Sequence, residues 1–137
     1  MNITVDTSVL LAVCTKEPSK PKLVELTAGH HLLVPALVHW EVGNALSAML
    51  KRDRISGEQA QACIVAYQQI PLTKIEVDLA TAVQLDERFR MYAYDAYLLT
   101  CALAERTPLL IAHLYPIAKF KRMADSPIDC LTRLSLP

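Results

Sequence analysis

The chain has 137 residues, 53% of them hydrophobic and 20% charged, which suits one domain with a sizeable core and argues against disorder or a coiled coil. Fourteen basic and fourteen acidic residues leave no formal net charge, so capture of nucleic acid by bulk electrostatics is disfavoured and only local patches remain. No apolar run crosses a bilayer without a polar break, and the N-terminus lacks the pattern of a signal peptide, so the expectation is a single cytoplasmic domain over residues 1–137 with no membrane association.

The chain opens with Asn2-Ile3-Thr4-Val5-Asp6-Thr7-Ser8-Val9. A β-branched run ending in an acid, followed by hydroxyls and a second apolar run, predicts a buried strand, a carboxylate at its C-terminal tip and the start of a helix. Ligands in open α/β sheets bind outside the carboxyl ends of the strands, which makes Asp6 a candidate site residue. Asp6 or Thr7 is equally suited to capping the helix that follows. Glu17-Pro18-Ser19 breaks that helix; Pro21 to Ala28 reads as a second, closed by Gly29, and Leu32 to Val34 as a short strand stopped by Pro35.

Ala36 to Leu50 has a helical pattern, apolar on most faces, which predicts a central buried helix. Val38, Val42, Ala45 and Met49 form a stripe that also carries Glu41. A buried glutamate there has to be paired, metal-bound or at a cleft, unless the face emerges into solvent. Asn44 lies one turn on, within reach of whatever Glu41 holds.

Ser56-Gly57-Glu58-Gln59 has the form of a capping box and opens the next helix, which Ile70-Pro71 ends. Thr73 to Val77 reads as a short strand, Asp78 to Phe89 as a helix with Leu79, Ala82 and Val83 inward, and Arg88 to Tyr94 as a basic and aromatic loop. In the helix that follows, Leu98, Leu99, Ala102 and Leu103 continue a stripe headed by Asp95. The dipole favours an anion there, although capping is the plainer role. Pro108 to Ala112 predicts a buried strand with His113 at its tip, followed by a helix over Ile117 to Met123 and a strand over Ile128 to Leu131. Cys14, Cys63, Cys101 and Cys130 are scattered among apolar residues, which predicts reduced buried thiols rather than disulfides or a zinc site. Strands alternating with helices predict a parallel α/β sheet.

Three acids, Asp6, Glu41 and Asp95, thus arrive at strand tips or helix faces in apolar surroundings. Were they to converge, repulsion would raise at least one pKa unless a cation sat between them. A hard ion such as Mg2+ or Mn2+ suits oxygen ligands and could activate a water toward a phosphodiester. Motifs of the G-x-S-x-G, P-loop and G-x-G-x-x-G types are absent.

The order Val5-Asp6-Thr7-Ser8, then Glu41-Val42-Gly43-Asn44-Ala45-Leu46, then Tyr94-Asp95-Ala96-Tyr97-Leu98-Leu99 resembles the PIN-domain family, within it the single-domain ribonuclease toxins of the VapC type. The resemblance runs from Ile3 to about Leu131. It implies a three-layer α/β/α sandwich with a mainly parallel sheet. It also implies a metal-dependent endoribonuclease acting on transfer or ribosomal RNA, a homodimer held inactive by a small antitoxin protein. Asp6, Glu41 and Asp95 match the family's metal-binding acids, Ser8 a supporting hydroxyl and Asn44 a polar neighbour of the glutamate. In one departure, His113 stands where the family generally has a fourth acid. Imidazole suits zinc, nickel or iron better than magnesium, so a second metal is put in doubt.

Basic residues at Lys51, Arg52 and Arg54, at Arg88 and Arg90, and at Lys119, Lys121 and Arg122 form local clusters, of which Arg52, Arg90 and Lys121 are the candidate RNA contacts. A competing reading is a catalytically silent scaffold that binds RNA or a partner protein, motivated by His113 and the neutral net charge. Receiver and aspartyl-phosphatase readings fit less well, because Thr7 and Ser8 follow Asp6 where those folds want a second acid.

Overall fold

The structure, a computed structural model, describes residues 1–112. Alternation in the first strand sets the layers. In β1 (Asn2–Val5), Ile3 and Val5 point to one face of the sheet and Thr4 to the other, and all three are buried. Three further strands, β2 (His31–Pro35), β3 (Leu72–Ile75) and β4 (Leu109–Leu110), join β1 in a parallel sheet of order β3-β2-β1-β4. The register pairs Ile3 with Leu32 and Val5 with Leu110, so the pattern of faces continues across the strands.

Six helices are described: α1 (Thr7–Cys14), α2 (Lys20–Thr27), α3 (Val38–Lys51), α4 (Gly57–Gln68), α5 (Leu79–Phe89) and α6 (Ala93–Glu105). Ile3, Val5, Val34 and Leu110 pack with side chains of α1 to α4 in the larger core cluster. On the other face Leu109 packs with Leu98 and Ala102 of α6, and α5 packs on α6 through Ala82, Ala96 and Leu99. The Thr4 hydroxyl is satisfied on this side by Thr107, with the oxygens 2.6 Å apart. Helices on both faces of a parallel sheet make the expected three-layer sandwich. Leu10, Leu23, Val5 and Val34 are fully buried, and side chains of that size each contribute roughly 1.5–3 kcal/mol by leaving water.

The local signals act as expected in several places. Asp6 caps α1, Ser56 and Gln59 make both bonds of the capping box on α4, and Gly29 takes the left-handed conformation (φ 74°) just past α2.

Other expectations are corrected. Helix α3 is not buried on most faces: Val38, Val42 and Leu46 are inside, whereas Trp40 is 72% exposed. It packs on α1 and α4 along one stripe. Leu79 and Val83 do not face inward; they are 62% and 56% exposed. Helix α5 turns Ala82, Leu85 and Phe89 to α6 instead, a spacing of three and four that leaves Leu79 and Val83 on the flanking face. The segment from Arg88 to Tyr94 is mostly helical: Arg88 and Phe89 end α5, Arg90 is its left-handed cap, and α6 starts at Ala93. Asp95 is in the first turn of α6 but is not its N-cap, which is Tyr92. The late strand is limited to Leu109 and Leu110. The helix expected over Ile117 to Met123, the strand over Ile128 to Leu131 and Cys130 lie outside the described residues.

Candidate active site

The strand order places β1 between β2 and β4, with the chain leaving β1 toward β2 and returning to β4 last. The carboxyl end of β1 therefore lies at the point where the winding reverses, the usual place for a crevice. Asp6 is the first residue beyond that end, and its N–H donates to the Leu110 carbonyl at 2.9 Å. Its side chain accepts from the Ser8 N–H at 3.1 Å and from the Ser8 hydroxyl. Strand-tip acid and helix cap are thus the same residue in two roles.

Ser8 does more than complete a cap. Its hydroxyl also accepts from the Ala112 N–H at 3.2 Å, which links the chain after β4 to the carboxylate after β1. Thr7, one residue earlier, donates its hydroxyl hydrogen bond to Glu41 Oε2 on α3. Glu41 is half-buried in the first turn of α3, and burial is the main force that lifts its carboxyl above the ordinary carboxylate range. The Thr7 bond opposes that rise, and the charges of Asp6 and Asp95 add to it. Glu41 on α3 therefore senses both of the other candidate acids, Asp6 just beyond β1 and Asp95 on α6.

Of the three acids only Glu41, and neither Asp6 nor Asp95, lines the neighbouring pocket of about 410 Å3, together with Thr7, Ser8 and Asn44. Arg54 and Tyr94 line it as well. Arg52, the basic residue singled out from the same cluster, is the exposed C-cap of α3 and does not line the pocket. Arg90 is exposed at the end of α5. His113 and Lys121 lie outside the described residues.

A family model of the PIN domain matches residues 3–113. The chain belongs to the PIN-domain family. Among solved structures, VapBC2 from Rickettsia felis, bound to a DNA fragment from its promoter, matches with a TM-score of 0.64 and 20% identity, over 96% of this chain and 98% of that one. At that identity the likeness establishes a shared fold. No curated protein matches the chain.

PIN domains generally use divalent metal ions, and the acids of this one fit a hard cation by chemistry: they are oxygen donors whose mutual repulsion an ion would relieve. Among the described residues, no group of three or more His, Cys, Asp or Glu side chains is arranged to hold an ion by itself. Asp6 and Glu41 each commit an oxygen to a neighbouring hydroxyl. Magnesium tolerates such an open set, because it retains several waters and needs only one or two carboxylates.

Three residues of this PIN domain escaped assignment from sequence. Thr7 was visible only as a possible cap, Arg54 as one member of a basic cluster, and Tyr94 as part of an aromatic stretch. Only the packing of α1, α3 and α6 around one pocket distinguishes them from their neighbours.

Proposed function

We propose that this PIN domain is a divalent-metal-dependent endoribonuclease of the VapC type, the toxin of a toxin–antitoxin pair. The observation that carries the reading is that Glu41, which lines a pocket near the carboxyl end of β1, feels the charges of both Asp6 and Asp95. Asp6, Glu41 and Asp95 would together hold Mg2+ or Mn2+. Such an ion, when bound, supplies an activated water and offsets charge developing at the phosphorus. Ser8 holds Asp6 in place, Thr7 holds Glu41, and Asn44 offers an amide next to the glutamate. His113, Arg90, Arg52 and Lys121 belong to the same proposal as flanking contacts, the histidine to the site and the three cations to RNA phosphates. The substrate class is transfer or ribosomal RNA, and the setting is a cytoplasmic homodimer controlled by a cognate antitoxin. VapBC2, with its shared fold, supports that setting. No described helix is long and apolar enough to cross a membrane.

Incubating purified protein with a transfer-RNA pool in magnesium, in manganese and in chelator tests the reading. Cutting should need the ion and should vanish in Asp6→Ala and Asp95→Asn proteins that remain folded. Full activity in either variant would remove the assignment.

The open arrangement of the acids also favours a second reading, a scaffold that binds RNA or a partner without cutting. Calorimetric titration with manganese separates the two, since a silent scaffold gives no saturable heat.

A further inference from the structure

The pocket next to the acids is larger than a single ion requires. Its volume of about 410 Å3 lies in the range of roughly 300–1,000 Å3 found for sites that take small organic groups. Its walls also differ in kind. Leu11 of α1 with Ala45 and Met49 of α3 supply an apolar side, whereas Asn44 supplies an amide. Arg54 is the only basic residue lining the pocket among the described residues, and it shares the wall with two acids, Glu17 and Glu41. Its backbone is fixed just past α3, where Asp53 turns through a positive φ of 52° and the Arg54 N–H returns to the Met49 carbonyl at 2.9 Å. Tyr94 is 48% exposed and braced by Tyr97 in an edge-on contact, with ring centroids 6.0 Å apart and planes at 87°.

An aromatic ring, an apolar wall, an amide and a cation next to the Glu41 carboxylate are the parts that recognise one nucleotide. Bases stack on aromatic faces, amides read their polar edges, and arginine pairs with phosphate. We infer that this pocket receives the base of an unpaired nucleotide adjacent to the scissile phosphodiester, stacked on Tyr94, with Asn44 at its polar edge and Arg54 on the neighbouring phosphate. The inference rests on the ribonuclease reading and sharpens it. A base can enter only when it is out of its helix.

Photocrosslinking tests this without relying on cleavage. Single-stranded RNA twelve-mers carrying 5-iodouridine are irradiated with the protein, the attachment site is mapped by mass spectrometry, and affinities are measured by fluorescence anisotropy. Attachment should map to Tyr94 and disappear when the same RNA is annealed to its complement. Tyr94→Ala should weaken binding about tenfold, as expected for loss of one base–aromatic stack, while Tyr94→Phe, which keeps the ring, should bind as the parent does. Ala45→Phe should block the pocket and remove the crosslink. Crosslinks confined to other residues, or equal affinity in the Ala and Phe forms at position 94, would overturn the inference. Metal-dependent cutting that persists with those results leaves the nuclease reading intact. Tyr94-dependent binding with no cutting under any ion supports the pocket and overturns the nuclease.

Discussion

The Thr7 hydroxyl on α1 donates to Glu41 Oε2 on α3, a bond between residues 34 positions apart. It ties the helix that leaves β1 to the helix that leaves β2, so the acids after the two strands are positioned together. Thr7 itself is buried. Replacing it with valine keeps the shape and removes the donor, leaving a half-buried carboxylate short of a partner. Such a loss costs about 1–3 kcal/mol. Thr7→Val should therefore unfold at lower urea than the parent, and Thr7→Ser should recover most of the difference. Equal midpoints for the two variants would show that the bond adds nothing.

Glu41 also gives the site a pH dependence whose sign can be worked out. Burial first, then Asp6 and Asp95, raise its carboxyl in the folded state above the value of the unfolded chain. The fold thus favours the protonated form. The stability this provides is complete below the unfolded-state pKa and is lost as pH rises through the raised one. Glu41→Gln cannot ionise, yet its amide oxygen can still accept from Thr7. At pH 7 and without divalent ions its melting temperature should exceed that of the parent by a few degrees, roughly the effect of 1 kcal/mol. Manganese should stabilise the parent more than the variant. A variant less stable than the parent in chelator would contradict the electrostatic account.

The sequence made Asp6 legible because its role is local: a strand end, a carboxylate and a helix start follow within a few residues. The capping box at Ser56 was readable for the same reason. Thr7 and Arg54 were not, since each gains its meaning from a helix distant in sequence. Helix α5 failed differently. Leu79, Ala82, Val83 and Leu85 allow more than one apolar stripe, and only the docking of α6 selects Ala82, Leu85 and Phe89. The exposed side of α3 was misread because its apolar residues, Trp40 above all, look like core in a pattern that contains no information about what covers them.

The corrected face of α5 has its own consequence. Leu79 and Val83 are exposed, so Leu79→Lys should change unfolding free energy by no more than about 0.5 kcal/mol, as is usual at the surface. Ala82 is buried against α6, and Ala82→Leu should cost about 1–3 kcal/mol through overpacking. Thermal melts of the two single variants decide between the orientations. A destabilised lysine variant beside an unaffected leucine variant would restore the inward placement of Leu79.

The cysteines offer a test of the core on each side of the sheet. Cys14 and Cys63 lie in the larger cluster between α1 and α4, and Cys101 lies in α6. Burial, with Cys63 as neighbour, pushes the Cys14 thiol up to about 12, and burial takes Cys101 up to about 11. Cys63 is also raised by burial. Alkylation proceeds through the thiolate, and a thiol with a pKa near 12 is ionised at pH 8 to only about one part in ten thousand. Native protein treated with iodoacetamide at pH 8 should therefore show Cys14, Cys63 and Cys101 unmodified by peptide mapping, and all three should react once guanidinium unfolds the chain. The same burial protects them from oxidation, so reducing agent should not alter the melting temperature through these three thiols. Rapid labelling of Cys14 in the native state would mean that α1 and α4 separate readily, and the anchoring of Thr7 to Glu41 would then be as transient as the helix that carries it.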